Sequence, residues 1–476
     1  MDHSAEFESM VDASEDVTVF SDSSDMSAGG QIRPSIRYRE RVGVSARLVG
    51  LVRNTLSGQE ISQGFFSLAD QAVASITNFA TGVILARCCT KDEFGLYMLG
   101  FTVILLVTDI QTSLIATPYM VYAPRLKGVN HALYSGSTLV HQLVFSLITA
   151  FVLAAGAVVA HFGIGPHGLP RVMGALSTVI AVIMLREFVR RVCFAQLKLK
   201  AAFLLDACVG AGQIAGLLLI ARLGWLSASS AYWVVGAVCA AAVIWWLWAD
   251  RGFYRPRAGA SIADLRRNWT FGKWVFASGL LWTASTNLYP WLLAFFHGAA
   301  AAGTFAACMG VVSVGNPVLL GIQNLVGPKI AHEYAFNGPI ALRRLVLRIS
   351  GIIALPLSLL TVALILWGDQ LVGVLYGHQY TGNMLVVAVL ACNLLVTAVA
   401  FAFSRALFAV ERADLDFRLN LAAIAIMATL GVWLVHSYGP LGAAIGLLSA
   451  IVLTSAVRAP VFLMLPVREL VDRGVK

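Results

Sequence analysis

Charged side chains are scarce in this sequence. Asp, Glu, Lys and Arg make up 12% of its 476 residues, whereas soluble proteins carry about 25%. Apolar residues make up 58%, and the mean hydropathy is +0.78. So few charges cannot cover a water-exposed surface, which excludes a soluble globular enzyme and a chain that is disordered throughout. The composition predicts a polytopic membrane protein.

Signatures of catalysis and of cofactor binding are also missing from the sequence. It has no glycine-rich phosphate-binding loop, so ATP is not expected to be the direct energy source. Its seven cysteines follow no metal-ligand spacing, and we expect neither a metal nor a disulfide. No connection between the apolar runs is long enough to fold as a catalytic domain. We expect a protein that is not an enzyme and needs no cofactor, with H⁺ or Na⁺ as a possible coupling ion.

The first sixty residues fall into an acidic and a basic part. Residues 1–32 contain eight acidic residues and no Lys or Arg, which predicts a disordered tail. Residues 33–60 are basic and predict a juxtamembrane segment that contacts anionic lipids of the inner leaflet. The alternative is that these arginines only fix the membrane topology. The net charge of +9 is explained by such membrane-facing segments, so we expect no nucleic-acid partner.

The rest of the chain contains twelve apolar runs, each long enough to span a membrane, which takes about 20 residues. Because the runs are continuous and do not alternate, they indicate α-helices and not a β-barrel. The sequence therefore predicts an all-α membrane protein with about twelve transmembrane helices. The runs lie at 61–86, 94–116, 134–160, 171–193, 203–221, 229–249, 274–297, 303–327, 345–367, 383–408, 417–437 and 441–464.

The basic residues alternate strongly between the two sides of this topology. Thirty of the 34 Lys and Arg residues fall on the side of the N-terminus, and four fall on the other side. Basic residues favour the cytoplasmic side, so both termini, including residues 465–476, are predicted to be cytoplasmic. The four outer residues are Arg87, Lys91, Arg171 and Arg222.

The two halves of the chain resemble each other. The motif Phe94-Gly95-Leu96-Tyr97 is echoed by Ala302-Gly303-Thr304-Phe305, and further along Arg190 matches Arg405 and Gly224 matches Gly439. We expect residues 61–249 and 274–464 to form two parallel six-helix bundles around a central cavity, with 250–273 as a cytoplasmic linker. Parallel repeats with a site between them are typical of transporters.

These features resemble the polysaccharide and O-antigen flippase branch of the multidrug/oligosaccharidyl-lipid/polysaccharide exporter superfamily. The motifs at 94–97, 298–334 and 375–380 carry the resemblance, which covers residues 60–465. It implies a cation-lined central cavity. It also implies translocation of an undecaprenyl-pyrophosphate-linked oligosaccharide across a bacterial inner membrane, for exopolysaccharide or lipopolysaccharide synthesis. The acidic N-terminal tail departs from the family pattern.

Cationic side chains inside or at the inner ends of spans are the candidates for binding the pyrophosphate, because Arg forks match phosphate oxygens. Glu187 is expected to pair with Arg191, which would leave Arg186 and Arg190 free to face the cavity. The alternative for this set is snorkelling toward lipid phosphates. The candidates are Arg186, Arg190, Lys273, Arg348, Arg405 and Arg458.

Two further sets of polar residues lie inside the predicted spans. Asp70 and Asp109 are candidates for ion coupling, and Asp70 shares one helical face with Gln63, Thr77 and Thr81. The alternative for Asp70 is an ion pair with an arginine. In span seven, a stripe of hydroxyl and aromatic side chains suits a sugar chain or, alternatively, close helix packing. This stripe is Ser278, Trp282, Ser285 and Tyr289.

The first functional interpretation is therefore a monomeric flippase for a lipid-linked oligosaccharide, which works beside other polysaccharide-assembly proteins. A cation-coupled multidrug exporter of the same fold is the second interpretation and predicts an acidic cavity instead of a basic one. A membrane glycan polymerase or ligase is the third and requires a long outer loop.

The topology gives a first prediction. A cysteine placed near Gly165 should react with an impermeant thiol reagent added to intact cells, and one near Arg257 should react only after the membrane is opened. Labelling at Arg257 in intact cells would contradict the predicted orientation.

Overall fold

A computed structural model describes residues 58–163, 165–249, 254 and 258–464, and this part of the chain is helical and contains no strand. It forms twelve helices, the predicted number. The helices are α1 Gly58–Cys88, α2 Lys91–Arg125, α3 Gly128–His161, α4 Leu169–Ala195, α5 Leu199–Arg222, α6 Ala228–Ala249, α7 Ala258–His297, α8 299–337, α9 339–376, α10 Met384–Ala409, α11 413–438 and α12 440–464.

Nine helical stretches among the described residues are long and apolar enough to cross a membrane, so the chain is a multi-pass membrane protein. The predicted acidic tail 1–32, most of the basic segment 33–60 and the C-terminal segment 465–476 lie outside the described residues. We call the end of the molecule that carries the α1–α2 and α9–α10 connections the outer end, because the basic residues predict that it lies outside.

Two helix boundaries are set by glycine. Gly338, with φ 75°, separates α8 from α9, and Gly439, with φ 55°, separates α11 from α12. Residues other than glycine rarely adopt such φ values. Gly224, the repeat partner of Gly439, also has a positive φ of 75° and lies between α5 and α6. A glycine with positive φ therefore lies between the fifth and sixth helices of each half.

The two halves also share a pattern of packing. In the N-terminal half (58–249), α4 packs against α3 and α6, and α1 packs against α5. In the C-terminal half (258–464), α10 packs against α9 and α12, and α7 reaches α11, where His297 Nε2 lies 2.7 Å from the carbonyl oxygen of Val435. These three helix pairs of the second half thus match three pairs of the first.

Helix α7 departs from this pattern at its start. It begins at Ala258, inside the predicted linker 250–273, so part of that linker is helical. The first turns are amphipathic: Asn268 is buried and accepts a hydrogen bond of 2.9 Å from Tyr134 of α3, while Ile262 and Trp269 are exposed. A search for uninterrupted apolar runs misses such a segment because half of its residues are polar. The start of α7 therefore lies against the N-terminal half.

The halves meet backbone to backbone where α2 crosses α8. A Cβ on Gly95 would overlap the carbonyl group of Ala299, and a Cβ on Gly303 would lie 2.6 Å from the carbonyl oxygen of Lys91. The offset of 208 residues at which the two motifs repeat relates Gly95 to Gly303 and Lys91 to Ala299. The crossing is therefore built from equivalent residues of the two halves, and small side chains permit its close approach.

This crossing gives a second prediction. Gly95→Ala and Gly303→Ala should each lower the free energy of unfolding by about 1–3 kcal/mol, because backbone must move to admit the new methyl group. Thermal unfolding of the purified protein in detergent would measure this. Gly156→Ala is the matched control, since it lies within α3 with open space around it and should be neutral or slightly stabilising. Equal behaviour of all three variants would contradict the close crossing.

Candidate functional site

A cluster of buried charges lies inside the N-terminal half, between α1, α4 and α5. Asp70 and Asp206 are 1% and 2% exposed, although a buried charge in a membrane protein requires a partner. The partners come from α4. The cluster consists of Asp70, Arg186, Glu187, Arg190, Arg191 and Asp206.

Arg190 is the centre of this cluster. Its Nη2 lies 2.5 Å from Oδ2 of Asp70 in α1, and its Nε lies 2.8 Å from Oδ2 of Asp206 in α5. A third contact of 3.3 Å joins Nη1 to Oε1 of Glu187, one turn earlier in α4. One guanidinium therefore ties three helices together, and the alternative interpretation of Asp70 as an ion-pair partner describes its place in the structure.

Arg186 and Arg191 complete the cluster. Arg186 Nη2 lies 2.5 Å from Asp206 Oδ1, and Arg191 Nε lies 2.8 Å from Glu187 Oε1. The expected Glu187–Arg191 pair is present. The interpretation that this pair leaves Arg186 and Arg190 free to face a cavity does not account for the acids of α1 and α5 that reach both arginines. An analysis of neighbours along one helix cannot see such partners.

The cluster is electrically balanced, with three arginines against three carboxylates. An ion pair within hydrocarbon is tolerated when its charges cancel and its hydrogen-bonding atoms are satisfied. A balanced cluster offers no surplus positive charge to an anionic ligand. Its geometry therefore suits the joining of helices better than the capture of a pyrophosphate.

The polar face predicted for α1 points at α5, and the two helices pack closely along it. A Cβ on Gly210 of α5 would meet the hydroxyl of Thr77, and Gln213 Nε2 donates a hydrogen bond of 2.8 Å to Thr81 Oγ1. The side chain of Gln63, the fourth member of that face, lies outside the described residues.

A cavity of about 180 Å³ lies beside the charge cluster. Arg186, Glu187 and Asp206 form its charged side, and the rings of Tyr97 and Tyr232, stacked at 4.9 Å, lie on its lining. All of the lining residues belong to the N-terminal half. This cavity is therefore distinct from the central cavity that the sequence predicts between the halves.

The C-terminal half contains a smaller buried ion pair. Arg458 of α12 lies 2.9 Å from Asp416 of α11 and donates a hydrogen bond of 3.0 Å to Asn420. Both charged residues are buried, and Arg458 also lines a cavity of about 190 Å³ between α10 and α12. Asp206 and Asp416 were missed from the sequence. The signal for each was an acid near the start of the fifth apolar run of its half.

Arg405 has surroundings that differ from those of its repeat partner Arg190. It is exposed, and its guanidinium carbon lies 4.6 Å and 5.7 Å from the ring centroids of Phe401 and Phe408. At the position that corresponds to Glu187, the C-terminal half has Ala402. No carboxylate among the described residues pairs with Arg405. Its positive charge is therefore uncompensated by the part of the chain that the structure describes.

The remaining candidates are dispersed. Lys273 in α7 and Arg348 in α9 are exposed. Asp109 accepts a hydrogen bond from Thr283 and so joins α2 to α7. Tyr289 is fully buried against Gly431 of α11 and Gly446 of α12.

The side chains of the other sugar-facing candidates, Ser278, Trp282 and Ser285, lie outside the described residues.

Comparison with known proteins supports the membrane-transport fold. The profile of a family described as "Polysaccharide biosynthesis protein" matches residues 62–328, which is more than half of the chain. A search of curated protein sequences found no significant match. Solved structures, in contrast, match over most of the chain.

Three of these structures cover 84–87% of this chain at 14% identity. A multidrug resistance MATE family transporter of the MOP superfamily, inward-facing, matches over 95% of its own length with a TM-score of 0.69. The lipid II flippase MurJ, in an inward closed conformation, matches over 90% with 0.62. A MOP superfamily transporter from Pyrococcus furiosus, described as having a binding pocket of reverse polarity, matches over 96% with 0.57. The predicted fold class is thereby confirmed.

The charge balance of the cluster gives a third prediction. Arg190→Gln leaves one carboxylate in excess and should lower the free energy of unfolding by about 3–5 kcal/mol. Adding Asp70→Asn restores neutrality and should recover part of that loss. A double-mutant cycle on thermal or denaturant unfolding measures the coupling, with the exposed Arg222→Gln as control. A double variant no more stable than Arg190→Gln would show that charge balance does not govern this cluster.

Proposed function

The chain belongs to the polysaccharide biosynthesis protein family, and on that basis we propose that it flips a lipid-linked oligosaccharide across the membrane. The proposed substrate carries an undecaprenyl pyrophosphate anchor, and the proposed place is a bacterial inner membrane, in the synthesis of an exopolysaccharide or an O-antigen. The fold supports a transporter and not an enzyme, because the described helices are joined by short connections.

The observation that carries the proposal is the contrast between Arg405 and Arg190. The two arginines occupy matching positions in the two halves, yet three carboxylates surround Arg190 and two aromatic rings flank Arg405. Aromatic faces hold a guanidinium by cation–π attraction and leave N–H groups at its edge for a ligand. A phosphate oxygen pair suits that fork. Arg405 is thus the best placed of the six candidates to bind the pyrophosphate.

This contrast also disfavours a multidrug exporter with an acidic binding cavity. Asp70, Glu187 and Asp206 are held by arginines inside the N-terminal half and present no net negative charge. A cationic drug would find no surplus acid there. An anionic head group, in contrast, would meet the exposed cations Arg348 and Arg405.

Ion coupling is proposed at Asp70. Its Oδ1 is buried and has no hydrogen-bond partner among the described residues, so one oxygen of this carboxylate can take a proton without displacing an existing bond. Protonation would weaken its ion pair with Arg190 and leave the cluster with one surplus positive charge. Asp70→Asn should then abolish the response of transport to a pH or Na⁺ gradient. An unchanged response would remove Asp70 from the coupling step and leave Asp109 as the remaining candidate.

The fourth prediction concerns Arg405. Arg405→Gln should reduce transport by at least about tenfold, because a charge-assisted hydrogen-bonded contact to phosphate is lost. Arg405→Lys keeps the charge without the fork and should be partly active. Lipid-linked sugar that accumulates on the cytoplasmic side of cells, normalised to protein level, is the measurement. Arg418→Gln is the matched control, an exposed arginine at the same predicted inner end. Normal export by Arg405→Gln would contradict the assignment.

A further inference from the structure

At the outer end, each half supplies side chains that cap the helix ends of the other half. Arg87 in the last turn of α1 donates a hydrogen bond of 2.8 Å from Nε to the carbonyl oxygen of Leu375, and a second from Nη2 to that of Val374. These carbonyls belong to the last turn of α9. Such groups have no partner within their own helix. Arg87 therefore caps a helix of the opposite half.

The reverse contact is also present. Gln379, which follows α9, donates from Nε2 to the carbonyl oxygen of Ala86 at 2.7 Å and to that of Cys89 at 3.2 Å. These carbonyls lie in the last turn of α1 and just after it. The ends of α1 and α9 thus cap each other reciprocally, although nearly 300 residues of chain separate them.

A third cap acts on the start of a helix. Asp92 Oδ1 accepts a hydrogen bond of 3.1 Å from the backbone N–H of Ala300 in the first turn of α8. Acidic groups at helix N-termini are favoured by the free N–H groups and by the helix dipole. Its neighbour Glu93 makes the same kind of contact to Ala228 of α6, at 2.6 Å, but α6 belongs to the same half as Glu93.

Below these caps, apolar contacts complete the junction. The ring of Phe94 lies 6.2 Å from that of Tyr376 and 5.9 Å from that of Tyr380, across the two halves. The glycine crossing of Gly95 and Gly303 is next to them. The junction therefore combines closely packed apolar contacts with hydrogen bonds to helix ends.

We propose that Arg87, Asp92 and Gln379 are positioning residues of an outer gate, which hold the two halves closed at this end and release them when the protein opens outward. Only the link to transport rests on the proposed function. Helix ends suit such a gate because water can replace a cap when the halves part. The gate is therefore held by bonds that are each weak, and it can open without leaving polar groups unsatisfied in hydrocarbon.

The gate is tested by a distance measurement across the outer end, which is the fifth prediction. Spin labels at Leu223→Cys, at the end of α5, and Met384→Cys, at the start of α10, report the separation of the halves by double electron–electron resonance. The full chain is used in liposomes, with the four accessible or half-buried native cysteines Cys88, Cys89, Cys208 and Cys392 replaced by serine. Serine at 89 keeps the carbonyl that Gln379 uses.

Arg87→Ala, Asp92→Ala and Gln379→Ala should each raise the ratio of the long to the short distance population by about fivefold, the usual effect of one helix cap. The triple variant should raise it by at least about twenty-fivefold, since the cap made by Asp92 lies apart from the reciprocal caps of Arg87 and Gln379 and adds to them in free energy. Glu93→Ala is the matched control, because it removes a cap of the same chemistry that lies within one half. It should leave the distance distribution unchanged.

An unchanged distribution in the folded triple variant would overturn the gate, and so would equal opening by Glu93→Ala. If the triple variant does not fold, the single variant Asp92→Ala decides by the same criterion. The measurement requires no substrate. An unchanged distance distribution would therefore contradict the gate and not the flippase proposal. Normal export by Arg405→Gln would contradict the binding role of Arg405 and not the gate.

Discussion

A charge inside a membrane protein needs a compensating partner, and this requirement explains most of the polar structure of the chain. In the N-terminal half it gathers six charged side chains from three helices into one balanced cluster. In the C-terminal half it pairs Arg458 with Asp416. The exposed Arg405 is an exception to this requirement, because a cation without a carboxylate partner among the described residues is available to water, to lipid or to an anionic ligand.

The two halves are alike where they touch and unlike where they carry charge. The crossing of α2 and α8 uses Gly95 and Gly303, which match in the repeat. A substitution in one helix at this crossing would therefore have to fit against the equivalent residues of the other helix. Arg190 and Arg405 also match, but Ala402 occupies the position that corresponds to Glu187. In addition, the start of α7 lies against the N-terminal half. Of the two halves of this duplicated fold, one therefore contains a neutral internal cluster and the other presents a cation.

Much of this fold could be predicted from the sequence, because twelve apolar runs and their basic flanks report directly on a bilayer. The polar face of α1 could be predicted too, since Asp70, Thr77 and Thr81 follow the helical period. The partners of Arg186 and Arg190 could not, because Asp206 lies on another helix and nothing in its local sequence indicates where it points. The start of α7 was missed for a different reason: its apolar residues form a stripe and not a run.

Contacts within a half and contacts between halves must have different consequences when the halves move. The ion pairs of Arg190 join α1, α4 and α5 of one half, so they persist if that half moves as a rigid body. The caps made by Arg87, Asp92 and Gln379 join opposite halves, so any outward opening must break them. The first set lies where water is scarce and holds charges that would be costly to separate. The second set lies at helix ends near the membrane surface, where water can substitute for each bond. The chain thus places its strong polar interactions inside the units that stay intact and its weak, replaceable ones at the junction that has to open.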